Sequence, residues 1–162
     1  MTRIGLLSDT HGHWDDRYLE YFKDCDEVWH AGDIISEEIA DRIQAVKSIR
    51  FVYGNADGYN MRLRFPKDWK FTLEGVTVWL THIGGYPGHY SREVYPFLRI
   101  NPPRLFVCGH SHILKVMYDP NLKMLVLNPG AAGRYGQQTV STLMRFTLDA
   151  GEIKDLQVIE LR

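Results

Sequence analysis

Cysteine is scarce in this chain: two residues in 162, Cys25 and Cys108. Neither belongs to a C-x-x-C pair, which argues against a disulfide framework and against a cysteine zinc site. Cys108 closes an apolar run and reads as a small buried hydrophobe. Such cysteine usage fits a reducing cytoplasm. No apolar run approaches the ~18 residues of a membrane helix. The opening MTRIGLLSDTHG has a short apolar core but no small-residue cleavage site, and polar residues follow at once, so it is not read as a signal peptide. An excess of one charge is missing too. The 19 Lys+Arg and 20 Asp+Glu leave a net charge of −1, and the basic residues are scattered, so no nucleic-acid surface is expected. A small anionic substrate stays open, because bound cations can dominate a local field. There is no low-complexity segment, linker or fixed-period repeat. The length fits one domain over 1–162, large enough to bury a core without staples.

What is present is a recurring grammar, a short apolar run followed by a polar cluster. IGLL (4–7) precedes Ser8-Asp9-Thr10-His11-Gly12, and VWHA (28–31) precedes Gly32-Asp33. IRFVY (49–53) precedes Gly54-Asn55, VTVWL (76–80) precedes Thr81-His82, and LFVC (105–108) precedes Gly109-His110-Ser111-His112. Such β-branched or aromatic runs, bounded by glycine, predict buried strands. Helices are predicted over 15–23, with Tyr18, Leu19 and Phe22 on one face, and over 36–46, with Ser36 as N-cap and Ile39, Ile43 and Val46 as the stripe. A third covers 91–98, shortened or kinked by Pro96. Strand and helix alternate at first, which implies βαβ units. WKFTLEGVTVWLT reads as a hairpin turning at Glu74-Gly75. Further strands are expected at 113–119, 124–128, 139–147 and 153–160. Two sheets packed face to face, with helices outside, satisfy both halves.

Ligands of open α/β sheets gather beyond the carboxyl ends of the strands. Here those ends carry Asp9, His11, Asp33, Asn55, His82, His110 and His112: two carboxylates, one amide and four imidazoles, with no thiolate. Singly, each has an ordinary explanation. D-x-H arises by chance, Gly-Asp and Asn are turn residues, and a lone histidine is usually a hydrogen-bonded core residue. A full set of N/O donors at five strand ends is hard to explain as turns. The set suits divalent first-row metals. It is too large for one tetrahedral ion and suits two ions that share a carboxylate, a recurring device for phosphate esters.

The ordered set Asp9-x-His11, Gly32-Asp33, Gly54-Asn55, His82 and Gly109-His110-x-His112 resembles the calcineurin-like metallophosphoesterases, and more narrowly their small single-domain YfcE-like phosphodiesterase branch. LLSDTHG, HAGD, THIGG, CGHSH and LNPGAAG carry the likeness. The resemblance implies a four-layer α/β/β/α sandwich of two mixed sheets. It assigns Asp9, His11 and His112 to one metal, Asn55, His82 and His110 to a second, and Asp33 as the bridge. It also makes manganese the first choice, with iron, zinc, nickel or cobalt as alternatives. His82 precedes Ile83-Gly84-Gly85 where the family more commonly has His-Gly-His, which leaves that loop's path open.

The expected reaction is in-line attack on a small phosphodiester by a hydroxide held between the metals. Asp33, Asn55, Asp57 and His110 are the expected catalytic residues. Asp57 is placed where it would fix the Asn55 amide or an imidazole, and His30 where it would orient a carboxylate. Asn55 and Arg134 are the expected substrate contacts, although Arg134 reads equally as an exposed loop arginine. Backbone N–H groups of NPGAAG (128–133) are expected to add donors. Active family members often have histidine after the asparagine; this chain has Ala56, as the YfcE-like branch commonly lacks that histidine. Slow turnover and a preference for aryl esters follow. His13 and His89 read either as substitute proton donors or as solvated residues behind the ligands, and Trp14, Tyr59 and Tyr86 either as pocket walls or as ordinary packing. Rival readings are a phosphomonoesterase or nucleotide hydrolase, and a protein-binding scaffold of the same fold. A homo-oligomer is compatible with the sequence but not required by it.

Overall fold

The computed structural model describes residues 1–162. Strands β1 (Thr2–Leu7), β2 (Glu27–His30) and β3 (Ser48–Phe51) run parallel, with helices α1 (Arg17–Tyr21) and α2 (Glu37–Gln44) as crossovers. Two late strands return to this sheet, β9 (Ser141–Asp149) antiparallel to β1 and β10 (Glu152–Leu161) antiparallel to β9, and give the order β10-β9-β1-β2-β3. The second sheet contains β4 (Asp68–Leu73), β5 (Val76–Thr81), β6 (Leu105–Val107), β7 (Lys115–Asp119) and β8 (Met124–Asn128). Its order is β4-β5-β6-β8-β7, with β5, β6 and β8 parallel and an antiparallel strand at each edge. Helices α3 (Tyr59–Arg64) and α4 (Tyr95–Ile100) complete the chain.

Period-two alternation divides each strand between two cores. Ile4, Leu6, Trp29, Met144 and Phe146 of the first sheet meet Val78, Leu80, Leu105, Val107 and Leu127 of the second. On the other face of the first sheet, Leu7, Val28, Phe51 and Leu143 pack against Tyr18, Phe22, Ile39, Ile43 and Met61 of α1–α3 and their flanks. Trp79, Phe106 and Val126 cover the outer face of the second sheet with Val94 and Leu98 beside and within α4. The layers therefore run helix, sheet, sheet, helix, the expected four-layer sandwich. The helices have 5, 8, 6 and 6 residues, below the ~12–15 that are stable alone. Their packing holds them, at roughly 1.5–3 kcal/mol per fully buried large apolar side chain. No helix is long and apolar enough to cross a membrane.

Several local expectations shift. Helix α4 begins at Tyr95 rather than Ser91, with Pro96 in its first turn, where its missing N–H is unpaired anyway. Ser36 is the N-cap residue of α2 but makes no side-chain capping bond. Val46 lies beyond α2 and is exposed; Ala40 completes the stripe. Helix α3 went unseen because Met61 is its one buried residue, too little for a periodic signal. The free cysteines are buried, and burial pushes the Cys108 thiol up to about 12.

Parallel strands end on the same side. The residues after β1, β2, β3, β5 and β6 therefore meet at one edge of the sandwich, where the two sheets face each other.

Candidate metal centre

The loops that leave these strands fold back sharply. Asp9, His11, Asp33, His110 and His112 all adopt left-handed backbone, with φ of 52°, 45°, 58°, 71° and 63°. Each such residue costs of order 1 kcal/mol or more, and such strain persists only where the surroundings enforce it. Here the loops enforce one another. Asp9 N–H donates to the Gly32 carbonyl and His11 N–H to that of Asp33, both at 3.0 Å, while His110 N–H donates to Asp9 Oδ2 at 3.1 Å. Gly109 has no alternative at its position, since a Cβ would collide with Ser8 Oγ and Asp9 Oδ2.

The side chains form two groups. Donor atoms of Asp9, His11 and His112 lie within 4.8 Å of one another, as do those of Asp33, His82 and His110. Asp33 Oδ2 stands between them, 3.4 Å from His11 Nε2 and 3.2 Å from His82 Nε2. Asn55 Oδ1 lies 3.0 Å from both His82 Nε2 and His110 Nδ1 and joins the second group. All seven sequence-selected donors thus converge. The inward atoms are chiefly lone-pair acceptors: His82 Nδ1–H donates to the Ala31 carbonyl at 2.7 Å, which leaves Nε2 as the bare nitrogen facing Asp33. Asp9 Oδ1 and His11 Nε2 are buried without any hydrogen-bond partner. Leaving buried polar atoms unpaired is costly, and a cation between them removes that cost. The residues present therefore fit divalent metal ions.

Burial raises the cost of ionising Asp9, yet His11, His82, Ser8 and His112 outweigh it and hold the carboxyl below its usual range. Burial acts the same way on Asp33, and His82, the Ala56 N–H and His11 depress it. For His82, burial opposes protonation, but the Asp33 and Asp9 carboxylates raise its pKa overall. His110 is lowered by burial and by the neighbouring His82.

Surrounding groups take roles that differ from expectation. The Asp57 carboxylate hydrogen-bonds to neither the Asn55 amide nor an imidazole. Its Oδ2 accepts from the N–H of Asp33 (3.0 Å) and Gly54 (2.8 Å), and its Oδ1 from that of Ile35 (2.7 Å). It clamps the β2 and β3 loops together. His30 orients no carboxylate either. Its Nδ1 accepts from Gly32 N–H and its Nε2 pairs with Thr10 Oγ1, both at 3.0 Å, and burial drives its pKa down to about 4. Three of the NPGAAG amides are occupied within the chain, Gly130 N–H by Asn128 Oδ1, Ala132 N–H by the Ser8 carbonyl and Gly133 N–H by that of Asp9, and are not free for a ligand. Gln138 is not marked by the sequence. Its Oε1 takes a hydrogen bond from His112 Nδ1 (3.2 Å), while its amide donates to the Gly133 and Tyr135 carbonyls. Tyr135 stacks on His11 with ring centroids 4.6 Å apart. A lone Gln and Tyr in an exposed loop carry no signal that could have marked them.

Arg134 is exposed and makes no hydrogen bond or ion pair. Tyr86 and His89 line a cavity of 220 Å³ beside His110, whereas Trp14 packs near α1 and Tyr59 is exposed. The largest cavity, 560 Å³, opens on Asn55 and His82 and is walled by Tyr53, Arg62, Lys70, Trp79 and Phe97 among others. The sequence marks none of those five wall residues, because they come from separate strands and helices.

Comparison with known proteins bears on the family and the fold. Residues 2–151 match the model of the calcineurin-like phosphoesterase superfamily domain. A probable metallophosphoesterase of Mycoplasma pneumoniae is 30% identical, over 96% of each chain. Among solved structures, an archaeal phosphodiesterase superposes with a TM-score of 0.80 at 22% identity, covering 98% of this chain and 99% of that one. A single-residue variant of Vps29 from Entamoeba histolytica superposes with 0.74 at 17% identity, over 99% of both chains. At those identities the two structures speak for the fold.

Proposed function

The chain belongs to the calcineurin-like phosphoesterase superfamily, and within it we propose that this protein is a two-metal phosphodiesterase acting on small phosphodiesters. The observation that carries this reading is the place of Asp33 Oδ2 between His11 Nε2 and His82 Nε2, with a donor group complete on either side. Asp9, His11 and His112 would hold one ion, Asn55, His82 and His110 the other, and Asp33 both. Manganese is the first choice; the same N/O donors accept iron, zinc, nickel or cobalt. Bound there, two divalent ions supply the positive charge that draws a phosphoryl oxygen and acidifies water at neutral pH.

The chain's own residues do the rest. Ser8 Oγ–H (2.6 Å) and His110 N–H occupy Asp9 Oδ2 and so turn Oδ1 inward. Ala56 N–H occupies Asp33 Oδ1 and leaves Oδ2 to the centre. Asn55, whose Oδ1 faces His82 and His110, also lines the largest cavity and would meet the substrate there. Arg134, unpaired and adjacent to Tyr135 on His11, supplies a cation on the side of the first group. No imidazole stands at position 56 to protonate a leaving group, which favours aryl esters over alkyl esters.

The test is hydrolysis of bis(p-nitrophenyl) phosphate by metal-stripped protein refilled with manganese, beside Asp33→Ala and with p-nitrophenyl phosphate in parallel. Diester turnover that needs both metal and Asp33 is the expected result. Turnover of the monoester alone would replace this reading with a phosphomonoesterase. Two bound metals without turnover of either ester would turn attention to the scaffold reading.

A further inference from the structure

The 560 Å³ cavity at the second donor group has an unusual charge arrangement. Three cations line it, Arg62, Lys67 and Lys70, with two acids, Asp68 and Glu93. Lys67 is paired with Glu93 at 3.2 Å, and Asp68 Oδ1 accepts from the Trp79 indole at 3.0 Å. Lys70 and Arg62 have no carboxylate partner. The Lys70 ammonium lies 4.1 Å from the Trp79 ring centroid and 5.4 Å from that of Phe97. The Arg62 guanidinium lies 4.8 Å from the Tyr53 ring centroid, with Nε donating to the Asp57 carbonyl (2.8 Å) and Nη2 to the Asn55 carbonyl (3.2 Å). Aromatic faces and carbonyls hold a cation in place without cancelling its charge. Both cations are therefore positioned and still available, in a cavity of ordinary small-ligand size. Its wall includes Asn55 and His82.

From this arrangement we propose that the cavity is a binding site for a second phosphate, so that the preferred substrate is a nucleotide-sized phosphodiester that carries a further phosphate group. The scissile phosphate lies at the two donor groups, and the second phosphate reaches into the cavity to Arg62 and Lys70. The aromatic rings of Tyr53 and Phe97 flank the organic part between them. A substrate with one phosphate leaves both cations without an anion. The inference rests on the phosphodiesterase reading for its scissile group, but the cavity's preference for a second phosphate can be measured without turnover.

The test compares the p-nitrophenyl ester of thymidine 5′-phosphate with the same ester bearing a 3′-phosphate, using manganese-loaded protein. The wild type should favour the doubly phosphorylated ester in kcat/KM. Lys70→Met should reduce that ratio about tenfold, and Lys70→Arg should retain most of it. Calorimetric titration with thymidine 3′,5′-bisphosphate supplies the second readout, with binding weakened by a similar factor in Lys70→Met. An unchanged ratio in Lys70→Met, or an equal loss on both esters, would overturn the proposal. Neither ester cleaved, with bisphosphate binding still dependent on Lys70, would support the cavity and reject the phosphodiesterase reading. Bisphosphate binding independent of Lys70 would reject the cavity whatever the turnover.

Discussion

The backbone N–H of Ala56 donates to Asp33 Oδ1 at 2.8 Å. Position 56 thus serves the centre through its main chain, and its exposed side chain adds nothing. An imidazole can be introduced there without loss of that bond. We expect Ala56→His to raise kcat on alkyl phosphodiesters by ~10²-fold, the lower end of what a positioned acid contributes, with little change on p-nitrophenyl esters. The dependence of kcat on leaving-group pKa reads this directly. An unchanged slope at full metal content would count against it.

Asp33 Oδ2 lies 3.4 Å from His11 Nε2 and 3.2 Å from His82 Nε2, whereas Asp9 Oδ1 comes no nearer than 4.0 Å to His82 Nε2. Asp33→Asn should lower the bound manganese from two ions per chain and reduce diester turnover by more than ~10²-fold, since loss of mere outer-shell partners already costs ~10–100-fold. Metal analysis after gel filtration, beside kinetics, checks both. Full stoichiometry with normal turnover would dismiss the shared-carboxylate reading.

Gln138 is expected to act through His112 alone. By accepting from Nδ1 at 3.2 Å it leaves Nε2 turned toward Asp9 Oδ1, 3.1 Å away. Gln138→Ala should weaken manganese binding ~10–100-fold while leaving the unfolding midpoint of metal-free protein nearly unchanged. Chelator competition measures the affinity, and an effect on stability without one on affinity would contradict this role.

Asp57 has the opposite profile. Three backbone N–H groups depend on it, and hydrogen bonds to a charged group are worth ~1.5–3 kcal/mol each. Because water can replace some of them, Asp57→Ala should cost about 3–5 kcal/mol in urea unfolding of the metal-free protein. A loss under ~1 kcal/mol would show that the clamp is not needed.

Metal binding should release protons. His82 must offer a bare Nε2, while burial and the opposing, stronger pull of Asp33 and Asp9 leave its pKa above the ordinary value. Affinity for manganese should therefore rise from about pH 6 to pH 8, and calorimetry in buffers of different ionisation enthalpy should show the released proton. In metal-free protein the raised His82 stabilises the fold fully below its unfolded value of 6.5, and this is lost as pH rises through the folded value. Asp9 and Asp33, both depressed, stabilise it above 3.8, and that contribution is lost as pH falls through their folded values. These three groups together favour the metal-free fold most in weakly acidic solution. Affinity flat across the range would remove His82 from the centre.

Much of the centre was legible from local signals. Apolar runs with period-two burial mark strands wherever they occur, and glycine beside Asp, Asn or His marks where they stop. That is why all seven donors could be selected, and why β1, β2, β3, β5 and β6 were placed within a few residues. The misplaced details concern partners. Asp57, His30 and the NPGAAG amides were recognised as polar residues near the chemistry, but nothing local tells whether such a group faces a ligand or a neighbouring loop.

The sequence by itself determined the donor types, their order and the strands that present them, because side-chain chemistry and alternation are properties of short stretches. Only the tertiary structure brought those donors within reach of one another in two groups, set Asp33 Oδ2 between them, and opened a cavity beside the second. His110 N–H meets Asp9 Oδ2 across 101 residues of chain, and the large cavity joins the β3 loop, α3, β4, β5 and α4. Such meetings depend on sheet order and on how the two sheets pack, which are settled by the summed burial of the whole core and by no single stretch.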